Sequence, residues 1–213
     1  MLDVTPDTSV DAPEKPEPES TDWADIKVWR RGLRKAILAR RGELSRERRE
    51  ALRDAVAQRI RDGFPELAGH TIGFYWPIQA ELDLRHLVAG FIEAGAKAAL
   101  PVVVEKNAPV EFWAWEPGMR MVKGFWDIPQ PPERRVVTPT ACLVPMVGFD
   151  SACYRLGYGG GYFDRTLAAF GENKPFCIGI ALEMGRLKTI HPQPHDIPFE
   201  AVVTESDTFR RAA

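Results

Sequence analysis

The sequence predicts an α/β fold of three layers, a mostly parallel sheet flanked by helices, and three observations lead there. Beyond Gly69, short apolar runs alternate with amphipathic stretches of ten or so residues, the pattern of βαβ units whose sheet is covered on both faces. The chain has 213 residues, 45% of them hydrophobic, enough for one sizeable core. It contains no apolar run long enough to span a bilayer, and its first residues lack the basic and apolar regions of a signal peptide, so a soluble, cytoplasmic protein is expected.

Along the chain, residues 1–22 carry Pro6, Pro13, Pro16 and Pro18 among acids and small polar residues, a composition that buries too little apolar area to offset backbone ordering. A disordered, acidic, proline-rich tail over 1–22 is therefore expected, followed by a single α/β catalytic domain over 23–213. From Trp23 the pattern becomes helical: Ile26, Trp29 or Arg30, Leu33 and Ile37 share one face. Ser45 then caps a second helix whose face holds Leu52, Ala55, Val56, Arg59 and Ile60. Next come strands over 70–76, 97–104, 110–115, 141–149, 176–182 and 201–205, with helices over 84–95 and 161–170. The stretch 116–135, rich in proline and glycine and carrying Phe125 and Trp126, reads either as a functional loop or as a surface excursion pinned by its aromatics.

Charge is polarised. The net value is −7 over residues 1–26, +9 over 27–61 and −4 over the rest, against −2 for the whole chain. The basic helices 27–61 suggest either a solvated face or a polyanion-binding surface. The acidic remainder, with no basic sheet interleaved with aromatics, argues against nucleic acid. Cys142, Cys153 and Cys177 show no CxxC spacing and read as reduced packing thiols, Cys153 being the candidate for reactivity because it adjoins the glycine-rich run.

That run, RLGYGGGYFDR at 155–165, holds the main chemical signal. It joins a predicted strand to a predicted helix, at the sheet edge where open α/β folds bind ligands and where unpaired helix N–H groups accept anions. Gly157, Gly159, Gly160 and Gly161 offer bare backbone to phosphate and Arg155 adds a positive charge; a flexible turn is the alternative. The spacing is neither that of a dinucleotide fingerprint nor that of a Walker A loop. Asp164 suits magnesium held between a carboxylate and phosphate oxygens, or else it offsets the helix dipole. In HPQPHDIPFEAVVTE the prolines at 192 and 194 prevent the helix that would aim His191 and His195 at one zinc, and Asp196 is placed as a second magnesium carboxylate or as a structural turn. No pattern supports a covalent nucleophile. The residues alone reach an α/β enzyme that uses ATP or phosphate.

Five ordered pieces together resemble one family, the 5-formyltetrahydrofolate cyclo-ligases, or 5,10-methenyltetrahydrofolate synthetases. They are RRGLR at 30–34, YWPIQAELD, GFWDIPQP, VPMVGFDSACYRLGYGGGYFDR and PHDIPFEAVVTE, and the resemblance covers about residues 27–206. The resemblance implies a sheet like that of sugar-phosphate isomerases and CoA transferases. It implies ATP-dependent closure of 5-formyltetrahydrofolate to 5,10-methenyltetrahydrofolate, with ADP and phosphate released through a phosphorylated formyl (iminophosphate) intermediate. This is the work of a cyclising carbon–nitrogen ligase in one-carbon metabolism.

By the same resemblance, Arg30, Arg34 and Arg155 stabilise the phosphoryl group. ATP lies against Arg30, Arg31, Gly32, Leu33 and Arg34 and against Arg155, Leu156, Gly157, Tyr158, Gly159, Gly160, Gly161, Tyr162 and Phe163. Folate meets Arg34, Trp76, Glu81, Trp126 and the loop from Tyr158 to Tyr162, while Asp164 and Asp196 hold Mg2+. The expected partner is the small-molecule substrate alone, with a monomer and no nucleic acid or membrane. This chain departs from the family pattern at Arg30, where lysine is frequent, at Gly160, where some members have lysine, and at Phe163, which replaces a tyrosine. Two other readings stand beside this one: a same-fold enzyme for another formyl- or phosphate-bearing molecule, and a nucleic-acid or partner-binding module using helices 27–61.

Overall fold

The computed structural model describes residue 18 and residues 20–211; most of the expected acidic tail lies outside the described residues. In chain order the elements are α1 (Trp23–Glu43), α2 (Arg46–Gly63), β1 (Thr71–Gly73), α3 (Arg85–Glu93), β2 (Lys97–Val102), β3 (Glu111–Trp115), β4 (Val122–Lys123), β5 (Pro129–Gln130), β6 (Ala141–Pro145), β7 (Gly148–Asp150), β8 (Arg155–Leu156), α4 (Tyr162–Phe170), β9 (Phe176–Ile180), β10 (Arg186–Leu187), β11 (Ala201–Val203) and β12 (Thr208–Arg210). Ser45 caps α2 as predicted, its side chain accepting from the Arg48 amide at 3.1 Å.

The main sheet has seven strands in the order β12-β11-β9-β6-β1-β2-β3. The five inner strands, β11 to β2, are parallel, and the two edge strands run antiparallel. Successive strand residues point to opposite faces, so each strand feeds two cores. Ile72, Ala98, Leu100, Leu143, Ile178, Ile180 and Val203 meet Leu52, Val56 and Ile60 of α2 and Leu87, Val88 and Phe91 of α3. Their neighbours Ala99, Cys142, Val144, Cys177 and Val202 meet Leu167 of α4 together with Phe149 and Phe199. The three-layer arrangement is the direct result of this alternation.

A second sheet, β10-β7-β8, lies beyond the main one and is covered by α1. Leu33 and Ile37 pack with Val147, Leu156, Leu187 and Ile190 in a third core, all nearly without solvent contact, and each such Leu or Ile contributes about 1.5–3 kcal/mol. This sheet corrects the sequence reading, which runs one strand through 141–149. The main-sheet strand runs through Pro145, opposite Ile180 of β9. After it the Met146 amide bonds Ile180 O, and the Val147 amide bonds Leu156 O in the small sheet.

Four other predicted strands end earlier than read, those at 97–104 and 176–182 stopping at Val102 and Ile180. The strand at 70–76 stops at Gly73, and the chain then turns with Gln79 and Ala80 at positive φ. The last, at 201–205, ends at Val203, and the edge strand β12 follows it. The long stretch 116–135 is partly ordered by the β4–β5 hairpin, with Trp126 and Asp127 at φ 54° and 57° at its tip.

Candidate functional site

The loops that leave the C-terminal ends of β1, β6 and β9 converge with one face of α1. Helical spacing puts Arg30, Arg34 and Arg41 on that face, together with Leu33 and Ile37. The basic helices are therefore not simply a solvated surface: Arg30 and Arg41 are buried, Arg34 is half-buried, and Arg59 of α2 bonds the Glu205 and Ser206 carbonyls.

Arg30 is held on several sides. Its Nε donates to Ile190 O at 2.9 Å, Nη2 to His191 O at 2.9 Å and to Asp196 Oδ2 at 2.6 Å, and Nη1 to Asp196 Oδ1 at 3.3 Å. Asp150, buried at the end of β7, receives the Ile190 amide on Oδ2 and the Ala152 and Tyr154 amides on Oδ1. Arg30 thus ties α1 to the 190–196 segment, and Asp150 ties that segment to the start of the glycine loop. Burial alone would raise the Asp196 carboxyl, but the hydrogen bonds from Arg30 and the Gln193 amide, with the Arg30 charge, outweigh it and hold the group below its ordinary value.

Arg34 is different. Its Nε donates to Gly157 O at 2.6 Å, and among the described residues it has no carboxylate partner. Burial first, then the like charges of Arg30 and Arg155, pull its pKa below the ordinary arginine value. A cation crowded by cations and lacking an anion is a ready anion site. Arg155 pairs with Asp164 at 2.9 Å, yet among the described residues its buried Nε has no partner, as is true of Arg165 Nε. The Arg155 guanidinium lies in the space a side chain at Gly157 would fill: a Cβ there would stand 2.0 Å from Nη1. Gly161, at φ 65°, turns the chain into α4, whose first residues are Tyr162, Phe163 and Asp164.

These groups line one cleft of about 510 Å³, bounded by Arg30, Arg34 and Arg155, by Gly157 and Gly159–Gly161, by Asp164 and Arg165, and by Trp23, Pro194, His195, Asp196 and Ile197. Of the residues expected at ATP, Arg30, Arg34, Arg155 and four glycines meet here. Leu33 and Leu156 point into the third core instead, and Arg31 faces solvent. Asp164 and Asp196 share the cleft, each already paired with an arginine, and among the described residues no cluster of three metal-ligating side chains forms.

A second group lies on the β1 side. Tyr158 OH donates to Glu81 Oε1 at 2.6 Å and accepts from Arg41 Nη2 at 2.5 Å. Glu81 Oε2 takes the Ile78 amide at 2.9 Å, closing the turn after β1. Burial raises the Glu81 carboxyl, with the bonds from Tyr158 and Ile78 and then the Arg41 charge opposing it. Burial also raises the Tyr158 phenol, and the nearby Glu81 charge adds to it. Trp76 is covered by the Arg85 guanidinium at 4.3 Å. Trp126 is exposed and edges Tyr162 at 5.4 Å, while the Tyr162 hydroxyl accepts from the Asn107 amide. The structure therefore joins Glu81 to Tyr158 and Trp126 to Tyr162.

Sequence reading missed Arg41 and Trp23. Arg41 was findable from the 30, 34, 37, 41 spacing; Trp23 had no local signal. Cys153, the thiol flagged as reactive, is fully buried, and burial raises its pKa, so it is a packing residue.

Comparison with known proteins gives the family and the fold. A family model described as the 5-formyltetrahydrofolate cyclo-ligase family matches residues 26–205. The 5-formyltetrahydrofolate cyclo-ligase of Escherichia coli K12 is 31% identical over 176 residues, which cover 80% of this chain and 97% of that protein. The enzyme of the same name from Mycolicibacterium smegmatis is 29% identical over 182 residues, 81% of this chain and 91% of that one. Among solved structures, the 5,10-methenyltetrahydrofolate synthetase of Aquifex aeolicus superposes with a TM-score of 0.74 at 29% identity, covering 86% of this chain and 93% of that chain. A family match across nearly all of the folded chain, with the glycine loop, the α1 arginines and the Glu81 turn meeting where the sheet edge puts them, leads to one conclusion: the chain belongs to the 5-formyltetrahydrofolate cyclo-ligase family.

Proposed function

We propose that the protein is an ATP- and Mg2+-dependent 5-formyltetrahydrofolate cyclo-ligase that forms 5,10-methenyltetrahydrofolate and releases ADP and phosphate. The observation that carries this reading is Arg34, a half-buried cation without a carboxylate, set beside Arg155 and the bare backbone of Gly157–Gly161 in one cleft. That set fits a polyphosphate: a guanidinium with no carboxylate partner among the described residues, beside bare glycine backbone, offers donors to phosphate oxygens.

The chemistry asks for little more than positioning and charge neutralisation. A formyl oxygen is a poor leaving group. Once phosphorylated at the expense of ATP it departs as phosphate when N10 closes the ring on the formyl carbon, and the N10 proton is released. In this reading Arg34 and Arg155 offset negative charge on the transferring phosphoryl. Glu81, oriented by Tyr158 and Arg41, is an acceptor for the amino-pyrimidine edge of the pterin, and Trp126 with Tyr162 forms an aromatic wall. For magnesium, Asp164 fits: Arg155 takes Oδ2 and leaves Oδ1 without a partner among the described residues. Both oxygens of Asp196 are already engaged, so its first role is to hold Arg30. Magnesium bound there would supply charge neutralisation between the phosphates.

The test is direct. Purified protein with ATP, Mg2+ and 5-formyltetrahydrofolate should generate the near-ultraviolet absorbance of the methenyl product in proportion to enzyme, and folded protein that yields none refutes the proposal.

A further inference from the structure

The cleft changes chemistry along its length. One end is cationic and glycine-lined, with Arg34, Arg155, Arg165 and Gly157–Gly161; the other is formed by Trp23, Pro194, His195 and Ile197. Among the described residues that line this end, Arg30 carries the guanidinium, and it is committed to Asp196 and two carbonyls. Trp23 is 43% exposed, unusual for so large an apolar ring, yet it is fixed. His195 meets it edge-on at 5.4 Å and 81°, and the Arg30 guanidinium sits 5.5 Å from its centroid.

Trp23, Arg30 and Arg34 also follow one another along a single face of α1. At 1.5 Å rise per residue, Trp23 lies about 10 Å before Arg30 and about 16 Å before Arg34. A ligand that is anionic at one end and flat and apolar at the other matches this succession; inorganic polyphosphate uses only half of it. The volume, about 510 Å³, also exceeds what the phosphates alone need.

We propose that Trp23, flanked by His195 and Pro194, is the platform on which the base of the nucleotide stacks. The inference rests on the nucleotide-dependent reaction proposed above. Trp23 lies just before residues 26–205, the span matched by the family model.

The experiment compares, by titration calorimetry on the full chain with Mg2+, the affinities of ATP and of inorganic tripolyphosphate for the wild type, Trp23→Ala and Trp23→Phe. Base–aromatic stacking leads us to expect Trp23→Ala to weaken ATP about tenfold and Trp23→Phe to restore most of the loss. Tripolyphosphate should bind all three within about twofold. Equal loss for both ligands means Trp23 acts only through Arg30 and overturns the assignment. So does unchanged ATP affinity in Trp23→Ala, or a wild type that binds ATP no more tightly than tripolyphosphate. A wild type that binds neither overturns the assignment together with the reaction proposed above. Normal methenyl formation with no stacking effect removes only the platform; ATP binding with the expected Trp23 dependence but no methenyl product removes only the reaction.

Discussion

Arg30 and Asp196, 166 residues apart, form a two-pronged pair with Nη2–Oδ2 at 2.6 Å and Nη1–Oδ1 at 3.3 Å. Both side chains are nearly out of contact with solvent, at 4% and 8% exposure. The pair closes α1 onto the segment that supplies His195 to the cleft. The pair gives Arg30 a structural task.

Breaking that pair from one side leaves a buried, uncompensated guanidinium. Asp196→Ala is expected to lower unfolding free energy by about 3 kcal/mol, the lower end of the range for such pairs. Denaturant titration measures it, and a loss under about 1 kcal/mol would mean that Arg30 is held by the Ile190 and His191 carbonyls alone.

The same pair sets an acid limb. Asp196 has a folded pKa below its unfolded value, so its contribution is fully present above about pH 4 and disappears as pH falls through the lowered folded value. Stability of the wild type should therefore fall more steeply with acid than that of Asp196→Asn, as followed by thermal melts across that range.

Arg34 should behave oppositely to Arg30. Its crowding by Arg30 and Arg155 in a partly buried site implies that Arg34→Ala keeps or slightly raises the melting temperature. The proposed turnover should nonetheless fall about a hundredfold, as when one preorganised charge donor is removed. Full activity in this variant would assign the phosphoryl contact to Arg155 alone.

Glu81 titrates in the other direction from Asp196. Burial raises its folded pKa, so its ionised form costs stability as pH rises above the ordinary glutamate value, about 4.3. If ionised Glu81 receives the pterin, KM for the folate improves as pH rises through that raised value. Arg41→Leu removes a charge that favours ionisation and should shift the acid limb of kcat/KM to higher pH, with the KM for ATP little changed. Glu81→Gln should abolish the limb. A limb that stays in place in both variants would exclude this carboxylate from folate binding.

The sequence disclosed those parts of the molecule whose signal is local. Apolar runs and helical spacing located the parallel sheet and its covering helices, and the glycines with Asp164 located the loop before α4. What stayed hidden depends on distant partners. Nothing near Arg30 in the sequence announces that Asp196 and the Ile190 and His191 carbonyls will surround it. A run as uniformly apolar as 141–149 does not show where it changes sheets. Strands of two residues such as β8 and β10 lie below any periodicity, and the side chains of Leu33 and Leu156 differ in destination from the motif residues beside them.

Gly157 offers the sharpest separation of fold from function. Its backbone needs no special conformation, but a Cβ would stand 2.0 Å from Arg155 Nη1, 2.8 Å from Cζ and 3.2 Å from Nη2. Those atoms are the far end of a flexible side chain, so Gly157→Ala should fold, with a melting temperature within a few degrees of wild type. The guanidinium has to move, and its 2.9 Å pair with Asp164 goes with it. The proposed turnover should then fall tenfold or more, and Arg155→Ala in the Gly157→Ala background should add little, since both changes remove the same charge from the same place. Additive losses in that double-mutant cycle would mean that Gly157 acts on the phosphate loop independently of Arg155, through its own backbone and the carbonyl that receives Arg34.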